Sequence, residues 1–120
     1  MSELQMGTGE KAFAEIIWAN EPISSGDLAK KSEETLGWKK TTSYTVLKRL
    51  CDKGLFRNEK GIVTSLFSKQ EYCARQSEQF ISESFGGSLP AVLAAFTSRK
   101  KLSDSEVAEL QRMIDEYKEE

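Results

Sequence analysis

The segment from Trp38 to Gly54 has two unlike faces when it is arranged with the period of an α-helix. Positions at three- and four-residue spacing predict one buried stripe, which comprises Ser43, Val46, Leu47 and Leu50. The other side carries hydroxyls and cations: Lys40 or Thr41, Tyr44, Thr45, Lys48, Arg49 and Asp52. Such groups hydrogen-bond base edges and phosphates. The segment is therefore predicted to be a DNA-recognition helix, with a solvated helix face as the alternative.

Two further helices are predicted ahead of this segment, at residues 9–20 and at about residues 24–35. Pro22 separates them, because proline cannot continue a helix. Side-chain caps are expected from Thr8 for the first helix and from Ser24 for the second, since short hydroxyl side chains accept a hydrogen bond from a free N–H at a helix start.

A short helix, a glycine break and a second, cationic helix form the helix-turn-helix pattern. Residues 55–58 and 62–67 are predicted as two strands joined by a turn, because the second run is rich in β-branched and aromatic residues. Three helices followed by a hairpin define a winged helix. Arg57 and Lys60 at the hairpin are placed to touch phosphate, with an ordinary solvated turn as the alternative.

Residues 69–119 predict three more amphipathic helices, interrupted by Gly86-Gly87 and by the polar run at 99–101. About 50 residues bury little surface by themselves, so these helices need a partner surface. The winged helix of the same chain could supply it in a monomer, but a winged helix already closes its own core, so a second copy of the three helices is favoured. We expect a homodimer through residues 70–120. The expected interface residues are Tyr72, Phe80, Phe85, Leu89, Val92, Leu93, Phe96, Val107, Leu110, Ile114 and Tyr117.

The composition limits the chemistry of the 120-residue chain. There is no histidine, Gly-rich phosphate loop or clustered carboxylate pair, so we expect neither an enzyme nor a bound cofactor. Cys51 and Cys73 are far apart in the sequence and form no metal-ligand cluster; both are expected to be buried as small apolar fillers. Without a signal peptide or an apolar run long enough for a membrane span, a cytoplasmic protein is expected.

Charge is unevenly distributed along the chain. The net charge is −2, but residues 1–69 carry 11 Lys/Arg against 9 Asp/Glu, whereas residues 70–120 carry 6 against 10. Residues 39–60 alone hold seven cations and two acids. A local basic patch is the pattern expected when one region of a chain binds phosphate and another region has a different role.

A family resemblance rests on three runs, TTSYTVLKRLCDKGLFRNEKG, FGGSLPAVLAAF and KLSDSEVAELQRMIDE. From about Ala12 to Glu116 the chain resembles the penicillinase-repressor family, which includes copper-responsive members. The resemblance implies a dimeric winged-helix repressor that binds a palindromic operator, as regulators of penicillin-resistance genes do. It also implies that Thr42, Thr45 and Arg49 face the DNA.

Two departures from the family pattern bear on the inducing signal. Penicillinase repressors are cut at an Asn-Phe bond, whereas the matching positions here are Ala95-Phe96. The residues at this bond therefore do not support cleavage there or a β-lactam signal. A signal-activated protease that cuts another bond stays open as a partner. Copper-responsive members carry a C-terminal cysteine cluster, which the run Tyr117-Lys118-Glu119-Glu120 lacks, so copper sensing by that route is not expected.

The sequence thus predicts a mainly α protein with a small β-hairpin, divided into a winged-helix DNA-binding domain at 1–69 and a three-helix dimerisation domain at 70–120. The leading hypothesis is a dimeric, sequence-specific repressor. The alternatives are a winged-helix protein–protein interaction module and a family repressor that answers another signal, such as a metal. The expected DNA-binding residues are Lys39, Lys40, Thr41, Thr42, Tyr44, Thr45, Lys48, Arg49, Arg57 and Lys60.

Overall fold

The computed structural model describes residues 5–119. The elements are, in order, α1 (Thr8–Asn20), β1 (Ile23–Ser24), α2 (Ser25–Leu36), α3 (Lys40–Asp52), β2 (Phe56–Glu59), β3 (Ile62–Ser65), α4 (Lys69–Phe85), α5 (Leu89–Arg99) and α6 (Asp104–Glu119). The strands form one antiparallel sheet in the order β1-β3-β2. The predicted fold class, a winged helix followed by helices, is confirmed.

The chain divides into two compact units inside α4, between Ser77 and Glu78. This division falls later than the expected boundary at residues 69/70. The first turns of α4 belong to the N-terminal unit because Tyr72 is buried in its core and the Tyr72 hydroxyl accepts a hydrogen bond from the Met6 backbone N–H at 3.2 Å.

The core of the N-terminal unit joins one face of each of its helices to the sheet. Phe13 of α1 stacks on Trp38, with ring centroids 5.3 Å apart. The buried face of α3 is the predicted stripe, Ser43, Val46, Leu47 and Leu50. Burial of this stripe therefore fixes the rotation of α3 about its own axis, and the opposite face of the helix is exposed to solvent.

The first strand, β1, was not predicted. Ile23 pairs with Val63 and Ser24 with Ile62, and Ile23 is buried. Two residues are too few to show the alternation that identifies a strand. The hairpin lies within about two residues of its predicted bounds, although β3 ends at Ser65 rather than at residue 67.

Helix caps follow the predicted chemistry at most but not all positions. Ser24 caps α2, its Oγ accepting from Asp27 N at 3.1 Å. The cap of α1 is Gly7 rather than Thr8; there the Glu10 carboxylate accepts from Gly7 N at 3.1 Å. At the start of α6, Ser103 and Glu106 each accept a hydrogen bond from the other's backbone N–H, at 3.1 and 3.0 Å, which is a complete capping box.

A single copy of the C-terminal unit leaves most of its large apolar side chains exposed. Neither α5 nor α6 contains a buried residue. Large apolar side chains remain exposed on both helices: Leu89, Leu93, Phe96, Val107, Leu110, Met113, Ile114 and Tyr117. An isolated pair of helices with its apolar residues in water lacks the burial that stabilises helices in proteins. No helix within residues 5–119 is long and apolar enough to cross a membrane.

Candidate nucleic-acid interface

The exposed face of α3 and the neighbouring hairpin carry all the residues that the sequence assigned to DNA contact. Each of them is exposed: Lys39, Lys40, Thr41, Thr42, Tyr44, Thr45, Lys48, Arg49, Arg57 and Lys60. Lys39 is the N-cap of α3, and the first turn of that helix contains no acidic residue. Free N–H groups and two lysines therefore make this helix end positive, which suits an anionic ligand.

One hydroxyl of this face is already oriented within the helix. Thr45 Oγ1 donates a hydrogen bond to the Thr41 carbonyl oxygen at 2.9 Å. The hydroxyl proton of Thr45 is thereby used, while the residue as a whole is exposed. Thr45 is accordingly set to accept a hydrogen bond from a base amino group or to contact a thymine methyl.

Two cations of this surface are held only loosely by acids. Lys48 lies 3.5 Å from Asp52, and Arg57 lies 3.8 Å from Glu59, with all four side chains largely exposed. Exposed pairs of this kind contribute little to stability, so a phosphate can replace the carboxylate at small cost. Among residues 5–119, no ion pair involves Lys39, Lys40 or Lys60.

The sequence-based charge count missed Glu10 of α1. Its carboxylate lies 3.7 Å from Arg49 Nη1 and 3.3 Å from Lys53 Nζ. Burial raises the pKa of Glu10, but the hydrogen bond from Gly7 and the charges of Lys53 and Arg49 outweigh it, so the pKa lies below its ordinary value. A carboxylate from outside residues 39–60 thus offsets part of the positive charge of the basic patch. The sequence around Glu10 contains no pattern that predicts this contact.

The hairpin tip is rigidly built. Lys60 and Gly61 both have positive φ, 53° and 83°, between the paired residues Glu59 and Ile62. Positive φ at both central residues of a two-residue loop defines a type I′ turn. Ser25 N donates to Gly61 O at 2.8 Å, which fixes the turn to the start of α2. Lys60 is therefore presented from a fixed point of the wing.

Most of the residues predicted at the dimer interface are accessible on the C-terminal unit, but Tyr72 is not. Only 4% of Tyr72 is exposed, because its ring packs in the N-terminal core beside Trp18, with centroids 5.7 Å apart. That assignment is corrected: Tyr72 lies on the helix face that closes its own domain. Phe80 is exposed and packs edge-on against Phe85 at 5.7 Å.

The two cysteines differ in environment. Cys51 is half-buried, and burial raises the pKa of its thiol. Cys73 is exposed on α4, so the expectation that both are buried fillers is wrong for Cys73. The reason is that α4 turns its Tyr72 side inward, and the adjacent position faces solvent. Residues 5–119 contain no group of three or more side chains suited to hold a metal ion.

The three helices, the hairpin and the exposed cationic face of α3 define the class of winged helix-turn-helix proteins. The model of the penicillinase repressor family matches residues 6–116, and the chain belongs to that family of transcriptional repressors. It is 25% identical over 118 residues to the penicillinase repressor of Bacillus licheniformis, covering 95% of this chain and 92% of that protein. It is 23% identical over 114 residues to the methicillin resistance regulatory protein MecI of Staphylococcus aureus (strain Mu50 / ATCC 700699), covering 92% and 93%.

Proposed function

We propose that the protein is a dimeric repressor that binds a palindromic operator with α3 in the major groove. One observation carries this proposal: the face of α3 opposite its buried stripe exposes hydroxyls and cations together and has no acid in its first turn. The family of repressors to which the chain belongs supports the regulatory role. The relatives' names point to genes of β-lactam resistance as its targets.

The exposed residues divide into two roles by chemistry. Cations at the start of α3, on its flank and on the wing suit phosphate, which supplies most of the affinity: Lys39, Lys40, Lys48, Arg57 and Lys60. Side chains along the centre of the exposed face suit base edges, which supply the specificity: Thr41, Thr42, Tyr44, Thr45 and Arg49.

Dimerisation is assigned to the C-terminal unit. A groove of about 550 Å³ runs between α5 and α6, and its lining is almost wholly apolar. It is formed by Leu89, Val92, Leu93, Phe96, Leu110, Met113, Ile114 and Tyr117, with Lys118 at its edge. A second copy of the same two helices offers a matching apolar surface, and a two-fold dimer carries two recognition helices for the two halves of a palindrome.

The bond between Ala95 and Phe96 lies inside α5. A protease acts on extended chain, so cleavage there would require α5 to open locally first. Release of the operator by a signal-activated protease is therefore proposed only for a state in which this helix has unfolded.

The test is binding of the purified protein to a duplex from upstream of its own gene, compared with a scrambled duplex, across a salt series. The logarithm of affinity is expected to fall linearly with the logarithm of salt concentration. A preference for the upstream duplex that survives at physiological salt is the expected result. If the two duplexes bind equally, selection from a random-sequence pool follows. Failure to enrich any sequence overturns the repressor proposal in favour of a protein-interaction module.

Arg49→Ala is expected to weaken binding to the preferred duplex by about 1–3 kcal/mol, because a bidentate arginine–guanine contact discriminates by that amount. The measurement is a titration of both duplexes with the wild type and the variant. An equal loss on both duplexes would show that Arg49 contacts phosphate only. Lys101→Ala is the matched control, since it removes an exposed cation from the segment between α5 and α6.

A further inference from the structure

The Glu10 carboxylate is a fixed anion beside the recognition helix. It sits in the first turn of α1 and accepts a hydrogen bond from Gly7 N at 3.1 Å. Lys53 Nζ lies 3.3 Å from each of its two oxygens, and only 14% of the Glu10 side chain is exposed. Two partners other than Arg49 therefore hold this carboxylate in place.

Arg49 meets this anion with one edge of its guanidinium. Nη1 lies 3.7 Å from Glu10 Oε2, while 54% of the Arg49 side chain remains exposed. A guanidinium is a planar fork with five N–H donors, so an interaction through Nη1 leaves Nε and Nη2 free to bind elsewhere. A contact that holds this long side chain in one orientation before binding reduces the rotamer entropy lost on binding.

We propose that Glu10 is a positioning residue that orients Arg49 for base recognition and thereby sets the sequence preference of the interface. This inference rests on the proposed function and deepens it. Exposed ion pairs usually contribute little because both side chains must be immobilised. Here the acid is already immobilised by Gly7 and Lys53, so only Arg49 loses freedom when the pair forms.

The same carboxylate restrains binding that ignores sequence. Its negative charge lies against two of the seven cations of residues 39–60, and it opposes their attraction for any phosphate. Loss of the charge should therefore have two opposite effects. Affinity for random DNA rises, and the preference for the operator falls.

The test compares Glu10→Gln with Glu15→Gln. Glutamine keeps an oxygen that can accept from Gly7 N while losing the charge. Glu15 is on the same helix and its carboxylate lies 2.8 Å from Lys69 Nζ, so the control removes an equal charge from an ion pair remote in sequence from α3. Glu10→Gln is expected to lower the ratio of preferred to random affinity about three- to fivefold, the upper part of the range measured for exposed ion pairs. Glu15→Gln is expected to leave the ratio unchanged.

A double-variant cycle separates positioning from a general change in charge or stability. In an Arg49→Ala background, Glu10→Gln is expected to change the ratio no further, because the loss of preference acts through Arg49. The rise in affinity that comes from the freed charge of Lys53 is equal on both duplexes and cancels in the ratio. Persistence of the full Glu10→Gln effect in that background would overturn the proposal. An equal loss of preference in Glu10→Gln and Glu15→Gln would overturn it as well.

A measurement without DNA keeps this inference distinct from the proposed function. The steady-state ¹H–¹⁵N NOE of the Arg49 Nε–H group reports how strongly that side chain is ordered in the free protein. It is expected to fall in Glu10→Gln and to stay at the wild-type value in Glu15→Gln. An unchanged NOE in Glu10→Gln overturns the positioning of Arg49. Absence of any sequence preference in the wild type instead overturns the repressor proposal and the specificity role with it.

Discussion

Two buried serines in the core of the winged helix differ in whether their hydroxyls are hydrogen-bonded. Ser43 is a polar member of the buried stripe of α3: it is 1% exposed, and its hydroxyl has no hydrogen-bond partner among the described residues. Ser32 of α2 is just as buried, but its hydroxyl donates to Leu28 O at 2.9 Å. A buried polar group without a partner costs free energy, whereas a satisfied one does not.

Ser43→Ala is therefore expected to raise the free energy of unfolding by up to about 1 kcal/mol, since it removes an unsatisfied hydroxyl and adds a better helix former. Ser32→Ala is the matched control and is expected to lower it, because a buried hydrogen bond is lost. Urea denaturation of the three proteins provides the measurement. A clear destabilisation by Ser43→Ala would show that its hydroxyl makes a stabilising contact in solution.

Glu10 makes the stability of the N-terminal unit depend on pH. Its pKa lies below the ordinary value of 4.5, so the charged form is favoured by folding. The stabilisation from this carboxylate is present above pH 4.5 and is lost as the pH falls through the lowered pKa. The wild type is expected to be more stable than Glu10→Gln at pH 7, and the difference should shrink as the pH approaches 3.5. Denaturation curves at both pH values test this, and a constant difference would contradict it.

At the scale of elements, the hairpin turn carries a residue that suits DNA binding better than it suits the stability of the turn. Lys60 occupies a left-handed backbone conformation that side chains other than Gly and Asn adopt at a cost. Asn-Gly would suit this type I′ turn better than the Lys60-Gly61 present. A lysine at this unfavourable backbone position agrees with the proposed role of its cation on phosphate.

Lys60→Asn is accordingly expected to preserve or slightly raise stability while it weakens DNA binding. The slope of log affinity against log salt should become shallower by about 1, because one phosphate contact is lost. The change should be equal on preferred and random duplexes. Lys101→Asn, in the polar segment before α6, is the control and should leave the slope as it is. An unchanged slope in Lys60→Asn would place the wing tip off the DNA.

The elements themselves were largely predictable. Helical periodicity located α3 and its buried stripe, and the Ser24 cap located the start of α2. Thr8 was misassigned as a cap because the Glu10 side chain serves Gly7 instead. The strand β1 escaped prediction because its pairing with β3 is a contact between distant residues, not a local pattern.

At the scale of the whole molecule, the exposed apolar faces of α5 and α6 agree with the proposed homodimer. Ile114→Asp is expected to dissociate the proposed dimer and, as a consequence, to weaken binding to the proposed operator, because it puts a charge into the apolar groove. Light scattering measures the mass, and circular dichroism checks that helix content is kept. Gln111→Asp places the same charge on an exposed α6 position outside that groove lining and should remain dimeric. An Ile114→Asp protein with the mass of a dimer would place the interface elsewhere.

The sequence by itself determined the helices, the hairpin, the buried stripe of α3 and the family, because periodicity, capping chemistry and motif spacing are local properties. Only the tertiary structure decided which distant groups meet. It brought Glu10 to Arg49 and Lys53 and buried Tyr72 in the N-terminal core, and within residues 5–119 it left the Ser43 hydroxyl without a hydrogen-bond partner. Such contacts depend on how helices cross and rotate against one another, which is fixed by packing over the whole core rather than by any one segment.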